Sequence, residues 1–443
     1  MKVLFNTFGC KTNQYDTALV GQTLEKAGFE LTGELSKADW VVVNTCSVTR
    51  RAEDKACQWA RKVAREYPEA KIAVIGCSVE VSAERLSSLP GVRILLGTEE
   101  KLRLGRALAD AEKKDIETRK KPLEKSGKVR RTTRYTGTPP LREHRGRARA
   151  FVKIQEGCNN RCAYCIVPYT RGPSRSRELK KVIAEARALE RAGHREIVLT
   201  GIHIGMYGND LAGSGGLVYL LEKLLSGTSL TRFRLSSLEV GDLSGELIGL
   251  VARESRICRH LHIPLQHGSA SVLERMGRSY SVQNYGMKIE SLADRVPGLG
   301  LGTDVIVGFP DESEKEFRDC FNFISSLPFT YLHVFPYSPR PGTPAAAMFE
   351  GLPPKALVKE RAGLMRELSE TRKNVFLKSL ISKRLSVVRE KALASGLSVC
   401  RADNYAKVFF RGSPDRDSVF ELTAERMYRD GLLGRLPDKD SSG

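Results

Sequence analysis

No apolar stretch of this sequence approaches the roughly 20 residues that a membrane-spanning helix requires. The N-terminal stretch MKVLFNTFGC carries one lysine, but its apolar part is too short for the hydrophobic region of a secretory signal. These two absences argue against a transmembrane or secreted class. We therefore expect a soluble, cytoplasmic protein without a membrane partner.

Acidic residues are scarce relative to basic ones. The sequence has 72 Lys and Arg against 52 Asp and Glu, so the formal net charge is 72 − 52 = +20. Surface charge can serve solubility alone, but an excess of this size favours a polyanionic partner, most often a nucleic acid.

Disulfides are not expected, although the chain has ten cysteines. A reducing cytoplasm keeps thiols free, so clustered cysteines there indicate metal binding or redox chemistry.

The sequence also lacks internal repeats and low-complexity tracts. Its 443 residues exceed what one hydrophobic core usually serves, which predicts two or three domains.

Alternating strand-like and helical segments predict an α/β fold. Apolar runs such as VVVNTC and IAVIGC alternate with helical periods and predict a parallel sheet in residues 1–111. Repeated βα units predict a TIM-like βα barrel, or part of one, in residues 148–374. Short strand-like runs around glycine, asparagine and proline predict a small OB-like β-barrel in residues 375–443.

A basic segment separates the first two domains. Residues 112–150 hold 14 Lys and Arg against 5 Asp and Glu, a net charge of 14 − 5 = +9, and show almost no apolar periodicity. This composition predicts an exposed basic linker at residues 112–147. Residues 376–443 add 13 − 9 = +4, so the two segments carry more than half of the net charge.

The stretch GCNNRCAYC spaces Cys158, Cys162 and Cys165 as C-x3-C-x2-C. Zinc would require four ligands, and no fourth lies at close spacing. Three thiolates suit a 4Fe-4S cluster whose fourth iron has no protein ligand, and that open iron can bind a substrate or cofactor. Gly157 and Asn159 permit the turns that a backbone wrapping a cluster needs.

This motif resembles the radical S-adenosylmethionine (SAM) enzymes, because aromatic Tyr164 precedes its last cysteine at the end of the first strand of a predicted βα barrel. The resemblance implies that Cys158, Cys162 and Cys165 hold the catalytic cluster. It also implies that the open iron chelates the amino and carboxylate groups of SAM, and that electron transfer cleaves SAM to a 5′-deoxyadenosyl radical. An electron donor such as a flavodoxin or ferredoxin is then an expected partner.

Three further cysteines, Cys10, Cys46 and Cys77, each follow an apolar strand-like run. The carboxyl ends of parallel strands meet at one edge of a sheet, so these thiols are expected to converge there and could hold a second cluster. Beside the radical SAM motif, this arrangement is similar to the methylthiotransferases, whose N-terminal domain carries an auxiliary 4Fe-4S cluster. The four remaining cysteines are expected to be small buried residues: Cys57, Cys258, Cys320 and Cys400.

The methylthiotransferase resemblance covers nearly the whole chain. It extends from TFGCKTNQYDT through HLHIPLQHGS, GTDVIVGFPDE and HVFPYSPRPGTPAA to DNYAKVFF, which is similar to the TRAM domain, a small RNA-binding barrel. It implies sulfur insertion at a C–H bond followed by methylation, with one SAM molecule as methyl donor and another as radical source. A thiolate nucleophile cannot attack an unactivated aryl C–H bond, so this chemistry needs a radical from a cofactor.

Motif matches imply SAM contacts near the ends of the barrel strands, although each residue could equally be an ordinary polar group there. The matched residues are Tyr164, Thr200, Gly201, Ser237, Glu239, Gln266 and Asp304. Two positions depart from the family pattern: His267 stands where a serine is expected, and Asp311 where a glycine is expected. His267 is expected to be a packed or solvated side chain rather than a proton partner.

The segments GCKTNQYDT, NTCSVT and CNNRCAYCIVPYTRGPSRSR resemble most the subgroup that acts on N6-threonylcarbamoyladenosine (t6A) in tRNA, at C2 of the base next to the anticodon. Two other subgroups remain alternatives: enzymes for isopentenylated adenosine in tRNA, and enzymes for an aspartate of a ribosomal protein, which are expected to have GCPKN instead of GCKTN. A non-enzymatic alternative is an iron–sulfur protein that binds RNA or senses redox state.

Two groups of residues are candidates for contact with RNA. The first follows the third cysteine of the motif and is predicted either to bind phosphate or carboxylate near the active-site mouth or to form a solvated loop: Arg171, Arg175 and Arg177. The second suits base stacking and phosphate contact, although one of its two phenylalanines is expected to face the core: Tyr405, Lys407, Phe409, Phe410 and Arg411.

Overall fold

The computed structural model describes residues 1–113, 122–127, 129, 132, 134–135, 138–213, 215–348, 352–412 and 418–437. The chain forms two compact units that each combine distant segments. We call the first the cysteine unit, which comprises Met1–Leu141, Lys153–Arg177 and Ser338–Met348. We call the second the barrel unit, which comprises Arg142–Val152, Glu178–Tyr337 and Phe349–Gly443.

Strands and helices alternate along most of the chain. The strands are β1 (Lys2–Thr7), β2 (Glu30–Leu31), β3 (Trp40–Thr45), β4 (Lys71–Gly76), β5 (Val92–Leu96), β6 (Leu123–Lys125), β7 (Arg149–Lys153), β8 (Gln155–Glu156), β9 (Arg175–Ser176), β10 (Glu196–Thr200), β11 (Arg232–Leu235), β12 (His260–His262), β13 (Gly300–Val307), β14 (Tyr331–Pro336), β15 (Arg384–Ala392), β16 (Leu397–Ala402), β17 (Lys407–Arg411), β18 (Val419–Tyr428) and β19 (Gly431–Arg435).

The α-helices are α1 (Lys11–Lys26), α2 (Arg50–Glu66), α3 (Val79–Ser87), α4 (Leu104–Lys113), α5 (Val167–Arg171), α6 (Leu179–Arg191), α7 (Gly216–Gly227), α8 (Gly245–Arg253), α9 (Ala270–Arg275), α10 (Val282–Arg295), α11 (Glu314–Ser326), α12 (Pro344–Met348) and α13 (Lys355–Ser379). None of the helices in the described ranges is both long and apolar enough to cross a membrane.

A six-stranded sheet forms the centre of the cysteine unit, in the order β2-β1-β3-β4-β5-β6, and its strand pairs are parallel. Strand β3 has the sequence WVVVNT and is buried at every position. Such β-branched runs suit a parallel sheet that is covered on both faces. Helices α1 and α4 pack on one face of the sheet, and α2 and α3 pack on the other. The predicted parallel α/β sheet is therefore confirmed.

Part of the segment predicted to be a linker belongs to this sheet. Leu123–Lys125 is the sixth strand and pairs with β5. Val129 and Leu141 are fully buried in the same unit, so this stretch is not simply exposed. Strands pair through backbone hydrogen bonds, so a short strand can form without alternating apolar residues. The composition of the segment therefore gave no sign of this strand. The rest of the predicted linker includes residues 114–121, which lie outside the described ranges.

The barrel unit contains two three-stranded sheets, in the orders β11-β10-β7 and β12-β13-β14. Strands β10 and β11 are parallel, as are the pairs of the second sheet. A parallel bridge between Phe233 and Ile257 connects the two sheets just before β12 begins. Helices α6 to α11 alternate with these strands. This is the βα arrangement that the repeated units predicted.

The C-terminal strands close into a small barrel in the order β15-β16-β17-β19-β18, since β15 also pairs with β18. Its pairs are antiparallel except for the parallel pair β17–β19. Its core includes Val387, Val408, Leu422 and Leu432, together with Leu377 from the end of α13. The predicted C-terminal β-barrel is confirmed.

Two buried arginines of β11 attach this small barrel to the βα strands. Arg232 donates to Ser386 O at 3.0 Å and to Arg401 O at 3.1 Å. Arg234 donates to Asp403 O at 2.8 Å and to Ala402 O at 2.9 Å. Both guanidinium groups also contact Glu196 of β10 at 2.7 Å, and that carboxylate is fully buried. The attachment is thus polar and depends on buried charge.

Candidate functional site

Three cysteines lie at the carboxyl edge of the parallel sheet in the cysteine unit. Cys10 stands immediately before α1, Cys46 follows β3, and Cys77 follows β4. Strands β1, β3 and β4 are adjacent in the sheet, so the three loops are neighbours. The backbone joins them further, because Cys77 N donates to Thr45 O at 3.2 Å and Ser78 Oγ donates to Cys46 O at 2.8 Å.

Neighbouring thiols influence one another's pKa at this edge of the sheet. Burial, followed by the neighbouring Cys77 and Cys10, raises the pKa of the Cys46 thiol to about 12. Burial also raises the pKa of Cys77, with Cys10 acting in the same direction and Arg171 opposing it. Three thiolates in this position would repel one another unless a cation lay between them. An iron–sulfur cluster, whose iron ions bind thiolates, satisfies this donor set.

The second triad lies on the loop between β8 and α5 in the same unit. Cys158 is held by a hydrogen bond from its N–H to Gly172 O at 3.0 Å, and Cys165 N donates to Cys162 O at 3.0 Å. The Asn160 N–H points at Cys158 Sγ at 3.4 Å. Asn159 accepts from Ser174 N at 2.9 Å, which ties the loop to the segment after α5. Backbone donors directed at sulfur suit the thiolate ligands of a cluster.

Gly157 precedes the first cysteine of this loop and has φ +72°. A Cβ atom here would overlap the carbonyl oxygens of Pro173 and Gly172. We expect Gly157→Ala to reduce the iron content of the reconstituted protein to about half, because the loop could no longer wrap its cluster while the other triad is unaffected. Iron per chain is the measurement.

The control is Gly28→Ala. Gly28 lies in the same unit with φ +85°, but a Cβ there meets no atom within 4 Å. This variant carries the same backbone strain without the overlap, so its iron content should equal that of the wild type. Equal iron in both variants would show that the cysteine loop tolerates a side chain at position 157.

The three arginines that follow the motif are not in a solvated loop, and the carboxylates that Arg171 and Arg175 contact belong to the protein itself. Arg171, Arg175 and Arg177 have exposures of 2%, 1% and 1%, so they form neither a solvated loop nor a phosphate-binding surface. Arg175 pairs with Glu99 at 2.9 Å, and Arg177 donates to Tyr15 OH at 3.2 Å. Their partners come from residues that are far away in the sequence, which is why the local motif suggested an exposed role.

Arg171 belongs to a buried group of charges that sequence reasoning missed. Its Nη1 contacts Glu156 at 2.8 Å and Asp16 at 3.2 Å. Asp16 also pairs with Lys101 at 2.6 Å and with Lys153 at 2.8 Å. Although burial alone would raise it, these cations lower the pKa of Asp16. The sequence pointed to this group only through the position of Asp16, which follows Cys10 closely in the segment NQYD.

Most of the residues predicted to contact SAM in the barrel unit lie after the ends of strands, but Asp304 lies within β13. Thr200 ends β10, Ser237 follows β11, and Gln266 follows β12. Gln266 has φ +70° and is paired through its backbone with β13, since Gln266 N donates to Asp304 O at 2.8 Å. The carboxylate of Glu239 contacts Arg278. The roles of these residues toward SAM remain predictions, as does the role of Tyr164 in the cysteine unit.

The carboxylate of Asp304 has two histidine partners that sequence reasoning did not single out. Its Oδ1 lies 2.9 Å from His262 Nε2 and 3.2 Å from His333 Nδ1. Burial would raise its pKa, but the two histidines lower it overall. The three ligand atoms lie within 4.8 Å of one another, close enough for one divalent cation.

Hydrogen bonds extend from His262, a partner of Asp304, to two further side chains. His262 Nδ1 lies 3.2 Å from Tyr331 OH, which lies 2.8 Å from His260 Nε2. Strands β12, β13 and β14 are adjacent, and alternate residues of a strand share one face. This period of two, read from HLH and YLH, was the available signal for the cluster.

The structure explains how His267 and Asp311, the two departures from the family pattern, are accommodated. His267 is fully buried, and its Nδ1 accepts the Ser269 N–H at 3.0 Å, so it is a packed histidine as expected. Asp311 is exposed and has φ +58°. Glycine adopts this conformation most easily and aspartate tolerates it better than most residues, which accounts for the glycine that the pattern expects here.

The predicted stacking surface of the C-terminal barrel is contradicted for its two phenylalanines, whereas Lys407 is half-buried and Arg411 is exposed. Phe409 and Phe410 are both buried, with exposures of 4% and 9%. The ring of Tyr405 stacks on His260 at 4.3 Å between ring centroids, and the guanidinium of Arg401 lies over it. Tyr405 is half-buried, Phe410 lies in the core of the small barrel, and Phe409 packs against Tyr428, as expected for neighbouring strand residues that point to opposite faces. The four isolated cysteines are buried as expected: Cys57, Cys258, Cys320 and Cys400.

Two family models match the chain. Residues 2–97 match the uncharacterized protein family UPF0004, and residues 152–324 match the radical SAM superfamily. The first match contains Cys10, Cys46 and Cys77, and the second contains the C-x3-C-x2-C motif.

Curated relatives align with most of the chain. The threonylcarbamoyladenosine tRNA methylthiotransferase MtaB of Bacillus subtilis (strain 168) is 37% identical over 448 residues, which cover 99% of this chain and 97% of the relative. The protein of the same name from Aquifex aeolicus is 34% identical and covers 89% of this chain and 94% of the relative. A tRNA-2-methylthio-N(6)-dimethylallyladenosine synthase of Moorella thermoacetica is 34% identical and covers 87% of this chain and 86% of the relative.

Solved structures support the fold. The radical SAM methyltransferase TsrM from Kitasatospora setae, with tryptophan and a SAM analogue bound, superposes with a TM-score of 0.57 at 16% identity and covers 83% of this chain and 82% of that one. At this identity the likeness concerns the fold alone. Because the relatives above exceed 30% identity and align over most of both chains, this chain belongs to the radical SAM methylthiotransferase family.

Proposed function

We propose that this protein places a methylthio group on C2 of t6A in tRNA, next to the anticodon. The observation that carries the proposal is the presence of two separate cysteine triads in one compact unit, one at a sheet edge and one on the C-x3-C-x2-C loop. The choice of t6A is supported by the printed name of the Bacillus subtilis relative, which is 37% identical over nearly the full length of both chains. The net charge of +20 suits a tRNA partner.

Each triad has its own role in this proposal. Cys158, Cys162 and Cys165 hold a 4Fe-4S cluster and leave one iron open for SAM. Cys10, Cys46 and Cys77 hold the auxiliary 4Fe-4S cluster. When bound, the clusters and SAM supply the electron, the radical, the sulfur and the methyl group. The residues proposed to orient SAM are Tyr164, Thr200, Gly201, Ser237, Glu239, Gln266 and Asp304.

Several further assignments belong to the proposal. The protein works in the cytoplasm and receives electrons from a flavodoxin or ferredoxin. Residues 1–111 form the methylthiotransferase domain, residues 112–147 a basic segment that contributes the strand Leu123–Lys125 to its sheet, residues 148–374 the radical SAM barrel and residues 375–443 the TRAM-like RNA-binding domain.

Incubation of the reconstituted protein with SAM, a reductant and tRNA that carries unmodified t6A tests the substrate. We expect mass spectrometry of the digested nucleosides to show t6A converted to its 2-methylthio form, with 5′-deoxyadenosine released. The control is the variant Cys158→Ala, which lacks one ligand of the catalytic cluster and should give neither product.

Parallel reactions distinguish the alternatives. One uses tRNA with isopentenylated adenosine, and another uses ribosomal protein. Methylthiolation of either one, with t6A unchanged, would contradict the proposed substrate but not the chemistry. Absence of 5′-deoxyadenosine with all substrates would instead favour an iron–sulfur protein that only binds RNA or senses redox state.

A further inference from the structure

Arg171 connects the two cysteine loops of the cysteine unit. It ends helix α5, six positions after Cys165, and its guanidinium is buried. Its Nε donates to Cys77 Sγ at 3.0 Å. Its Nη2 lies 3.4 Å from Asn13 Oδ1, the same oxygen that lies 3.2 Å from Cys10 Sγ. One side chain from the catalytic-cluster segment therefore contacts one cysteine of the other triad directly and is linked to a second through Asn13.

The other side of the guanidinium is fixed by carboxylates. Nη1 contacts Glu156 at 2.8 Å and Asp16 at 3.2 Å. This leaves Nε directed at the sulfur in a defined geometry, because the guanidinium is planar and its donors point in fixed directions. A lysine in this place has one ammonium group and cannot serve the carboxylates and the sulfur in the same way.

The local charge balance leaves a positive excess beside the cysteines. Arg171, Lys101 and Lys153 are three buried cations, and Asp16 and Glu156 are the two carboxylates that they contact. Three cations against two anions leave one positive charge next to Cys77. A cluster held by three thiolates becomes more negative when it is reduced. A positive charge and a hydrogen bond to its sulfur favour that reduced state, which raises the reduction potential.

We propose that Arg171 is a positioning residue that raises the reduction potential of the auxiliary cluster and holds the Cys77 loop against the segment that follows the catalytic cysteines. This inference rests on the proposed function, because it requires a cluster at Cys10, Cys46 and Cys77. It concerns the electrochemistry of that cluster rather than the identity of the substrate.

The test uses the variant in which Cys158, Cys162 and Cys165 are replaced by alanine, so that only the auxiliary cluster is present. In this background, Arg171→Lys keeps the charge but removes the directed Nε donor. We expect the reduction potential, measured by redox titration with electron paramagnetic resonance, to shift to a more negative value while the iron content is retained. The control is Arg340→Lys, since Arg340 is equally buried in the same unit and pairs with Glu53 at 2.6 Å.

Each outcome separates the two proposals. A negative shift in Arg171→Lys, with no shift in Arg340→Lys, supports the role of Arg171. Equal potentials in the background and in Arg171→Lys overturn that role and leave the two-cluster function intact. Loss of the cluster from Arg171→Lys but not from Arg340→Lys also overturns it, because the residue would then be needed for assembly instead of for the potential. A background variant without any cluster overturns the proposed function itself.

Discussion

Replacing Cys158, Cys162 and Cys165 with alanine is expected to remove about half of the iron and to abolish the formation of 5′-deoxyadenosine, because the open iron that binds SAM is lost. Replacing Cys10, Cys46 and Cys77 is also expected to remove about half of the iron, but SAM cleavage should remain measurable. Transfer of a methylthio group to tRNA should be absent in both variants. Iron analysis, 5′-deoxyadenosine and modified nucleosides are the three measurements.

The structure makes this separation testable within one compact unit. Both triads belong to the cysteine unit, but they lie on different loops with different backbone supports. The control is Cys57→Ala, because Cys57 is fully buried within helix α2 and is expected to have no role in cluster binding. A full iron complement in the Cys10, Cys46 and Cys77 variant would contradict the two-cluster proposal. Loss of all iron when Cys158, Cys162 and Cys165 are replaced would contradict it as well, because the N-terminal triad would then hold no cluster of its own.

The cluster cysteines could be predicted because their signals are local. The C-x3-C-x2-C spacing is contained in eight residues, and each N-terminal cysteine directly follows an apolar run. Parallel strands carry their carboxyl ends to one edge, so the sequence pattern also predicted that Cys10, Cys46 and Cys77 would converge. Their mutual effect on the pKa of Cys46 agrees with that prediction.

The partners of these cysteines could not be predicted in the same way. Arg171 contacts Cys77 across 94 positions of the chain, and Lys153 contacts Asp16 across 137. Charge patterns along a chain do not reveal which buried cations face which carboxylates, since that depends on how the loops pack. Sequence alone therefore placed Arg171 either in a solvated loop or at a site that binds phosphate or carboxylate, where most arginine-rich loops lie.

The C-terminal segment shows a second limit of prediction from sequence. Its strand-like runs correctly predicted a small β-barrel, but its aromatic residues were interpreted as an RNA-binding surface. Tyr405 instead stacks on His260, and the adjacent backbone accepts hydrogen bonds from Arg232 and Arg234. Removing this segment would leave both buried guanidinium groups without these acceptors. A chain that ends near Val375 is thus not expected to leave an intact barrel.

Glu196 is the residue on which this attachment depends most, and Glu196→Ala is expected to destabilise the barrel unit strongly. The carboxylate accepts from Arg232 Nη2 and from Arg234 Nε at 2.7 Å each, and Arg149 lies at 3.5 Å. Burial alone would raise the pKa of Glu196, but the three arginines hold it well below its usual range, so the carboxylate is charged at neutral pH. Its removal leaves buried cations uncompensated, which costs about 3–5 kcal/mol.

This loss is large against the net stability of a folded protein, which is about 5–15 kcal/mol. For a unit of this size it corresponds to a fall in the unfolding temperature of about 6–20 °C, measurable by calorimetry or dye binding under anaerobic conditions. The control is Glu222→Gln, because Glu222 is exposed on helix α7 and its substitution should change the unfolding temperature little.

The double variant Glu196→Ala with Arg234→Met, measured beside each single variant, provides the decisive comparison. It removes one buried cation together with the buried anion, so its destabilisation should be smaller than the sum of the two single changes. Arg232 would still donate to Ser386 O and Arg401 O and keep the small barrel attached. Strictly additive losses, or an unfolding temperature of Glu196→Ala within the error of the wild type, would mean that the buried charges do not stabilise the attachment. The attachment would then depend on the apolar packing around Leu377 and Leu380 instead.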